Sequence, residues 1–111
     1  MANVLISQEA GGDAWKTHNA TTIANGESNT SDAIPCSQYT YYNLIAWAAG
    51  NMATSIEISH DGTTYKELDG AVAATTIVES GVLNANYIRV KVTNSSGGSQ
   101  THNAHLRLSH A

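Results

Sequence analysis

The sequence predicts an all-β chain, a single antiparallel β-sandwich or jelly-roll-like domain, on three observations. Residues 55–68 read SIEISHDGTTYKEL. Ile56 and Ile58 alternate there with Ser55, Glu57 and Ser59, the pattern of a strand with one buried and one wet face. Asp61-Gly62 follows as a reversal signal. Gly62 can take φ > 0 without steric cost, and the Asp61 carboxylate can bond its own local backbone. Thr63-Thr64-Tyr65 then supplies β-favouring residues for a return strand. Second, residues 87–93 (YIRVKVT) set Ile88, Val90 and Val92 inward against Arg89 and Lys91 in water. Third, the one passable helical stretch, residues 43–53 (NLIAWAAGNMA), is broken by Gly50-Asn51 and reads better as strand then loop.

The remaining elements follow in order. Residues 3–8 (NVLISQ) form a first strand, and 9–13 a glycine-containing loop. Residues 15–24 (WKTHNATTIA) are β-prone, Asn25-Gly26 is a turn, and 27–32 are loop-like. Pro35 limits residues 33–36 to an edge or a strand terminus. Residues 38–47 (QYTYYNLIAW) are the most aromatic segment. Tyr39, Tyr41, Ile45 and Trp47 share one parity, Tyr42, Leu44 and Ala46 the other, as in a strand buried on both faces. Residues 75–79 (TTIVE) and 101–109 (THNAHLRLS) complete the set, the latter with Ala104, Leu106 and Leu108 inward. Residues 94–99 (NSSGGS), like Gly11-Gly12, read as mobile surface loops. About eight short strands separated by turns suit a sandwich. Residues 1–111 make one domain, with 1–13 as a candidate N-terminal arm.

Composition narrows the function. Charged residues are 13% of the chain and net charge is −4, with Lys16, Lys66, Arg89, Lys91 and Arg107 as the only fixed cations. A nucleic-acid partner would need a basic footprint, so none is expected. Low charge has two readings: a neutral, Thr/Asn-rich β surface, or a surface lying against partner subunits, whose interface cores are depleted in charge. No apolar run reaches the ~18 residues of a membrane helix, and the N-terminus has neither the basic start nor the apolar core of a signal peptide. Cys36 is the only cysteine, so no intrachain disulfide can form.

Catalytic and metal chemistry find no support. His102 and His105 point to opposite faces of a strand, and His102 and His110 sit roughly 26 Å apart at ~3.3 Å per residue. A metal site would need His18, His60 or a neighbouring subunit, so surface or interface histidine is the default reading. Asp61 lacks the oxygen-ligand series of a calcium loop and is read as a turn former. Cys36 has no basic neighbour in sequence to lower its pKa and reads as inert. No nucleophile elbow or His-Glu-x-x-His helix is present. No catalytic residue, metal or cofactor is expected. Phe is absent, so Trp15 and Trp47 are assigned to core or interface rather than to a sugar platform. The expected interface residues are Val4, Leu5, Ile6, Trp15 and Trp47. Residues 3–7 could add a strand to a neighbour's open sheet edge.

Three segments in order carry a resemblance: TIANGESNTSDAI (22–34) leading into the aromatic strand, IEISHDGTTYKEL (56–68) and YIRVKV (87–92). This order resembles small structural proteins of tailed bacteriophages: capsid decoration (cement) proteins, or modules of tails and fibres. The resemblance implies a virion component with no catalytic residues, made in the host cytoplasm. The leading expectation is a β-sandwich that decorates the outer capsid surface, partnered by the major capsid protein and copies of itself. The short chain, with no room for a fibre shaft, favours a stand-alone subunit. The alternatives are a tail- or fibre-associated subunit, or a carbohydrate-binding module, because galactose-binding-like sandwiches share the hairpin and the late strand. A glycan is therefore a further candidate partner.

Overall fold

Alternation sets the inward rows of the late strands. On β8 (Tyr87–Asn94) Ile88, Val90, Val92 and Asn94 are buried, and on β9 (Gln100–Ser109) His102, Ala104, Leu106 and Leu108. The computed structural model describes residues 3–9, 11–68 and 70–110, and those residues contain nine strands and no helix. The others are β1 (Val4–Glu9), β2 (Gly12–Ile23), β3 (Ser28–Thr30), β4 (Ile34–Pro35), β5 (Tyr41–Ser59), β6 (Lys66–Glu67) and β7 (Val72–Val82).

The strands pair antiparallel along the path β1-β2-β9-β5-β8-β3, with β4 on β8 and both β6 and β7 on β5. β5 organises the sandwich. Its first half pairs with β9 from Tyr41 to Ala48, and its second half with β8 from Met52 to Ser59. The curled sheet thus folds into two layers. One holds β1, β2, β9 and the first half of β5; the other holds the second half of β5 with β8, β3 and β4. β7 follows β5 through the bend, with a register shift between Trp47 and Met52.

A main core gathers Tyr42, Leu44, Ala46, Ile56, Ile88, Val90, Leu106 and Leu108 with their neighbours. A smaller cluster of Ile23, Met52 and Val92 fills the other end. Of the residues that period-2 spacing places inside, Ile56, Ile88, Val90, Val92, Ala104, Leu106 and Leu108 are buried, and Ile58 is half-buried against the main core.

Several expectations are corrected. The break expected at Gly50-Asn51 is a change of pairing partner inside one continuous 19-residue strand. The first half of β5 is buried on one face only: Tyr42, Leu44 and Ala46 are inside, while Tyr41, Ile45 and Trp47 are exposed. The reverse error occurs in the second half, where Ser55, Glu57 and Ser59 are buried along with Ile56. Thr63, Thr64 and Tyr65 lie in a loop, and the return strand β6 is two residues long. Gly12 is buried in β2, not in a mobile loop; a Cβ there would stand 2.3 Å from the Leu108 carbonyl oxygen. β3 forms inside the segment read as a loop. Residues 4–9 of the expected arm are a strand, paired to β2 from Val4↔Lys16 to Glu9↔Gly12. The loop after β8 is tied by Asn94, whose amide donates to the Ile23 and Gly98 carbonyls.

Candidate functional site

The feature that calls for a function is the outward face of the first half of β5. Strand geometry sends alternate side chains to opposite faces, so burying Tyr42, Leu44 and Ala46 turns Tyr41, Asn43, Ile45 and Trp47 outward. Register then places β7 beside them, with Tyr41 opposite Val82 and Ile45 opposite Val78. Relative exposures are 44% for Tyr41, 42% for Ile45, 39% for Trp47, 67% for Val78 and 66% for Val82. The five large apolar side chains lie on one face of two neighbouring strands, where the pairs Tyr41–Val82 and Ile45–Val78, with Trp47 beyond, flank the polar pair Asn43–Ser80. A hollow of about 370 Å³ between Tyr41, Asn43, Ser80, Val82 and Ser109 indents this face. On the β9 side Asn43 faces Arg107, Ile45 faces His105 and Trp47 faces Asn103. The His105 ring meets Trp47 edge-on at 5.0 Å between centroids. Partial burial, then the Lys16 charge, hold the His105 pKa below its ordinary value.

β1 is an edge strand, and Val4, Leu5 and Ile6 on it are exposed. Trp15 is half-buried against the main core, edge-on to Tyr39 at 6.2 Å. The Tyr39 hydroxyl donates to the Asp13 carboxylate. The two tryptophans therefore do not share a face: Trp15 supports the interior and Trp47 lies on the outward patch.

Asp61 and Gly62 sit at the reversal after β5. Gly62 has φ +79°. The Asp61 carboxylate accepts from the Thr63 and Thr64 backbone N–H groups, both at 2.8 Å, and from the Ser59 hydroxyl at 3.0 Å. Those bonds, the Thr64 one first, lower its pKa to about 2. The same bonds explain why Thr63 and Thr64 leave the ladder: their amides are taken by the side chain. An open pocket of about 400 Å³ lies beside this loop, lined by Ile58, Ser59, His60, Asp61, Thr64, Lys66 and Ala85.

Reactive chemistry is absent from the Cys36 site: the thiol is buried, donates to the Ala85 carbonyl, and burial pushes its pKa up to about 11. Among the described residues no group of three or more His, Cys, Asp or Glu could hold a metal. His102 is not a surface residue as expected. It is buried beside His18, which sequence distance gave no means to foresee.

No protein-family model matches the chain. No characterised protein matches it by sequence. Solved structures do. The PBSX exported protein XepA aligns over 88% of this chain and 37% of its own length, at 15% identity and TM-score 0.69. A chain of infectious bursal disease virus, Gx strain, aligns over 87% of this chain and 31% of its own, at 11% identity and TM-score 0.54. A chain of the Bacillus endospore appendages, which form disulfide-linked pili, aligns over 98% and 91%, at 13% identity and TM-score 0.52. This chain spans about a third of the length of the first two. At such identities the likeness establishes the fold: an all-β sandwich.

Proposed function

We propose that this chain is a non-enzymatic structural subunit of a phage virion that decorates the outer capsid surface, packing on the major capsid protein and on copies of itself. The observation that carries the reading is the bare apolar patch of Tyr41, Ile45, Trp47, Val78 and Val82. Single exposed hydrophobics are ordinary, whereas five gathered on one face of two paired strands point to an interaction surface. Aromatic residues are enriched at interface cores. The patch can be covered without desolvating an ion pair, because its centre carries no charge. The exposed apolar residues of β1 add an open edge to which a neighbour's strand can pair.

The ordered sequence resemblance supports the virion setting, and a chain from a virus is among its fold neighbours. Net charge of −4 favours the outer surface over the packaged DNA, whose phosphates repel an acidic protein. Disulfide-linked assembly is not part of the proposal, since Cys36 is buried. A glycan-binding role fits the patch less well: Val78 and Val82, its most exposed members, offer a sugar neither a stacking face nor a hydrogen bond.

Cryo-microscopy of the assembled particle tests this. The expected result is density for the chain on the outer shell, with specific interfaces above roughly 1,000 Å² in total. Density in the tail or inside the shell overturns the decoration reading.

A further inference from the structure

His18 on β2 and His102 on β9 meet in the interior, where the small apolar cluster of Ile23, Met52 and Val92 closes one end of the sandwich. Their relative exposures are 0% and 1%. The rings stand edge to face, 5.1 Å between centroids at 87°. His18 faces Asn29, through its main-chain carbonyl and its side chain, and His102 faces Thr54; both residues are in the opposite layer. His18 Nε2 lies 3.3 Å from the main-chain carbonyl oxygen of Asn29 on β3. A carbonyl only accepts, so in the neutral ring Nε2 carries the proton and Nδ1 is a bare lone pair. His102 Nε2 lies 3.1 Å from Thr54 Oγ1 on the second half of β5. Both Nδ1 atoms are buried without a hydrogen-bond partner.

We propose that this histidine pair is an acid-released clasp: neutral, it ties β2 and β9 to the opposite layer, and protonation opens that end of the sandwich. An imidazolium has two N–H donors, and neither Nδ1 has a hydrogen-bond partner here. A charged ring would bury an unpaired N–H together with an uncompensated charge. If both rings were charged they would also repel each other. The buried residues of these strands at this end are Ile23 on β2, Met52 and Thr54 on β5, Val92 and Asn94 on β8, and Ala104 on β9, with half-buried Asn29 on β3. None of them is titratable, and the buried carboxylate of β5, Glu57, is paired with Arg89. Asn29 favours the charged form of His18 through its carbonyl and its side chain, but burial outweighs it and the pKa lies below the ordinary value. Burial first, then the neighbouring His18, push His102 down to about 4.

The direction of the pH effect follows. Both rings bind protons more readily in the unfolded chain, whose histidines titrate near ~6.5. The clasp is fully present above that value and is lost as pH falls toward the folded-state value near 4. Ordinary carboxylates protonate at the lower edge of this window, near ~4, so the loss above pH ~5 is the part that belongs to the histidines; Asp61 lies lower still, near 2.

Two measurements on the intact protein test the clasp. The folding equilibrium constant should fall at least about tenfold between pH ~7.5 and ~4.5. Over the same range NMR should show His18 and His102 neutral in the folded protein, with exchange rising at β2 and β3 amides before main-core ones. His105→Gln, which removes a ring on the outward face whose pKa is also held low, should trim this pH dependence but leave most of it in place. His18→Asn with His102→Gln should flatten it; if that variant does not fold, the wild-type NMR titration decides alone. A flat stability profile overturns the proposal. So does either buried ring titrating near ~6.5 with the fold intact, or loss of the pH dependence in His105→Gln.

Discussion

The two halves of β5 carry opposite messages. From Tyr41 to Ala48 both faces are apolar in sequence, yet only Tyr42, Leu44 and Ala46 are covered. From Ser55 to Ser59 apolar and polar residues alternate, yet both faces are covered. In the second half the fold supplies the cover. Arg89 donates to Glu57 at 2.8 Å and lies 3.7 Å over the Tyr65 ring, while Ser59 bonds Asp61 and Gly62. The polar face is thus buried by partners that satisfy it. In the first half the described residues leave Tyr41, Ile45 and Trp47 only partly covered, each about two-fifths exposed. Polar residues can be buried when the fold provides their bonds, and apolar residues left bare in one chain point to a second molecule.

The largest effect expected from this contrast is in stability. Leu44 and Leu106 are fully buried, so truncation of either to Ala should cost about 2–5 kcal/mol in urea unfolding. Ile45→Ala, one residue along on the bare face, should cost well under half as much. Equal costs would mean that the outward face is already packed in the free chain.

Next comes the reversal that covers the second half. Gly62 has φ +79°, and a Cβ there would also press on the Tyr87 ring at 3.2 Å. Gly62→Val should therefore destabilise by about 1–3 kcal/mol, while Thr63→Val, which keeps the backbone N–H that bonds Asp61, should change stability little. Similar small effects from both would show that the turn does not depend on the glycine.

A smaller effect is expected at Glu57 and Arg89. Glu57 is buried, but the Arg89 side chain is 31% exposed and lets water and salt reach the pair, so Glu57→Gln should cost about 1 kcal/mol, shrinking in high salt. A salt-independent loss of several kcal/mol would place the pair in a dry core instead.

How much of this was legible in the sequence depends on where each signal is stored. Ile88, Val90, Val92, Leu106 and Leu108 were legible because period-2 alternation is local and each lies in a strand with one core face. Gly62 and Asp61 were legible because turn chemistry is local too. The fate of β5 was not. Whether Tyr41 or Tyr42 faces inward is decided by β9 and β7, which pair with it from far along the chain. The hidden bonds of Ser55, Glu57 and Ser59 also depend on distant residues. His18 and His102 escaped for the same reason: they come from strands at opposite ends of the sequence. Of the candidate site, Trp47 and the β1 residues were named in advance, whereas Val78 was missed because TTIVE alone gives no phase, and Val82 because it lies beyond that segment, past Ser80-Gly81, in a part of β7 the sequence did not mark as strand.

The most direct test of the central claim is whether the bare face is what attaches the protein. An Ile45→Asp, Val78→Asp variant should melt within a few degrees of the parent, since neither side chain is buried. Mixed with particles lacking the protein and pelleted, the parent should sediment with the capsids and the variant should stay in the supernatant. A variant that binds as well as the parent, or a parent that never sediments with capsids, would contradict the account.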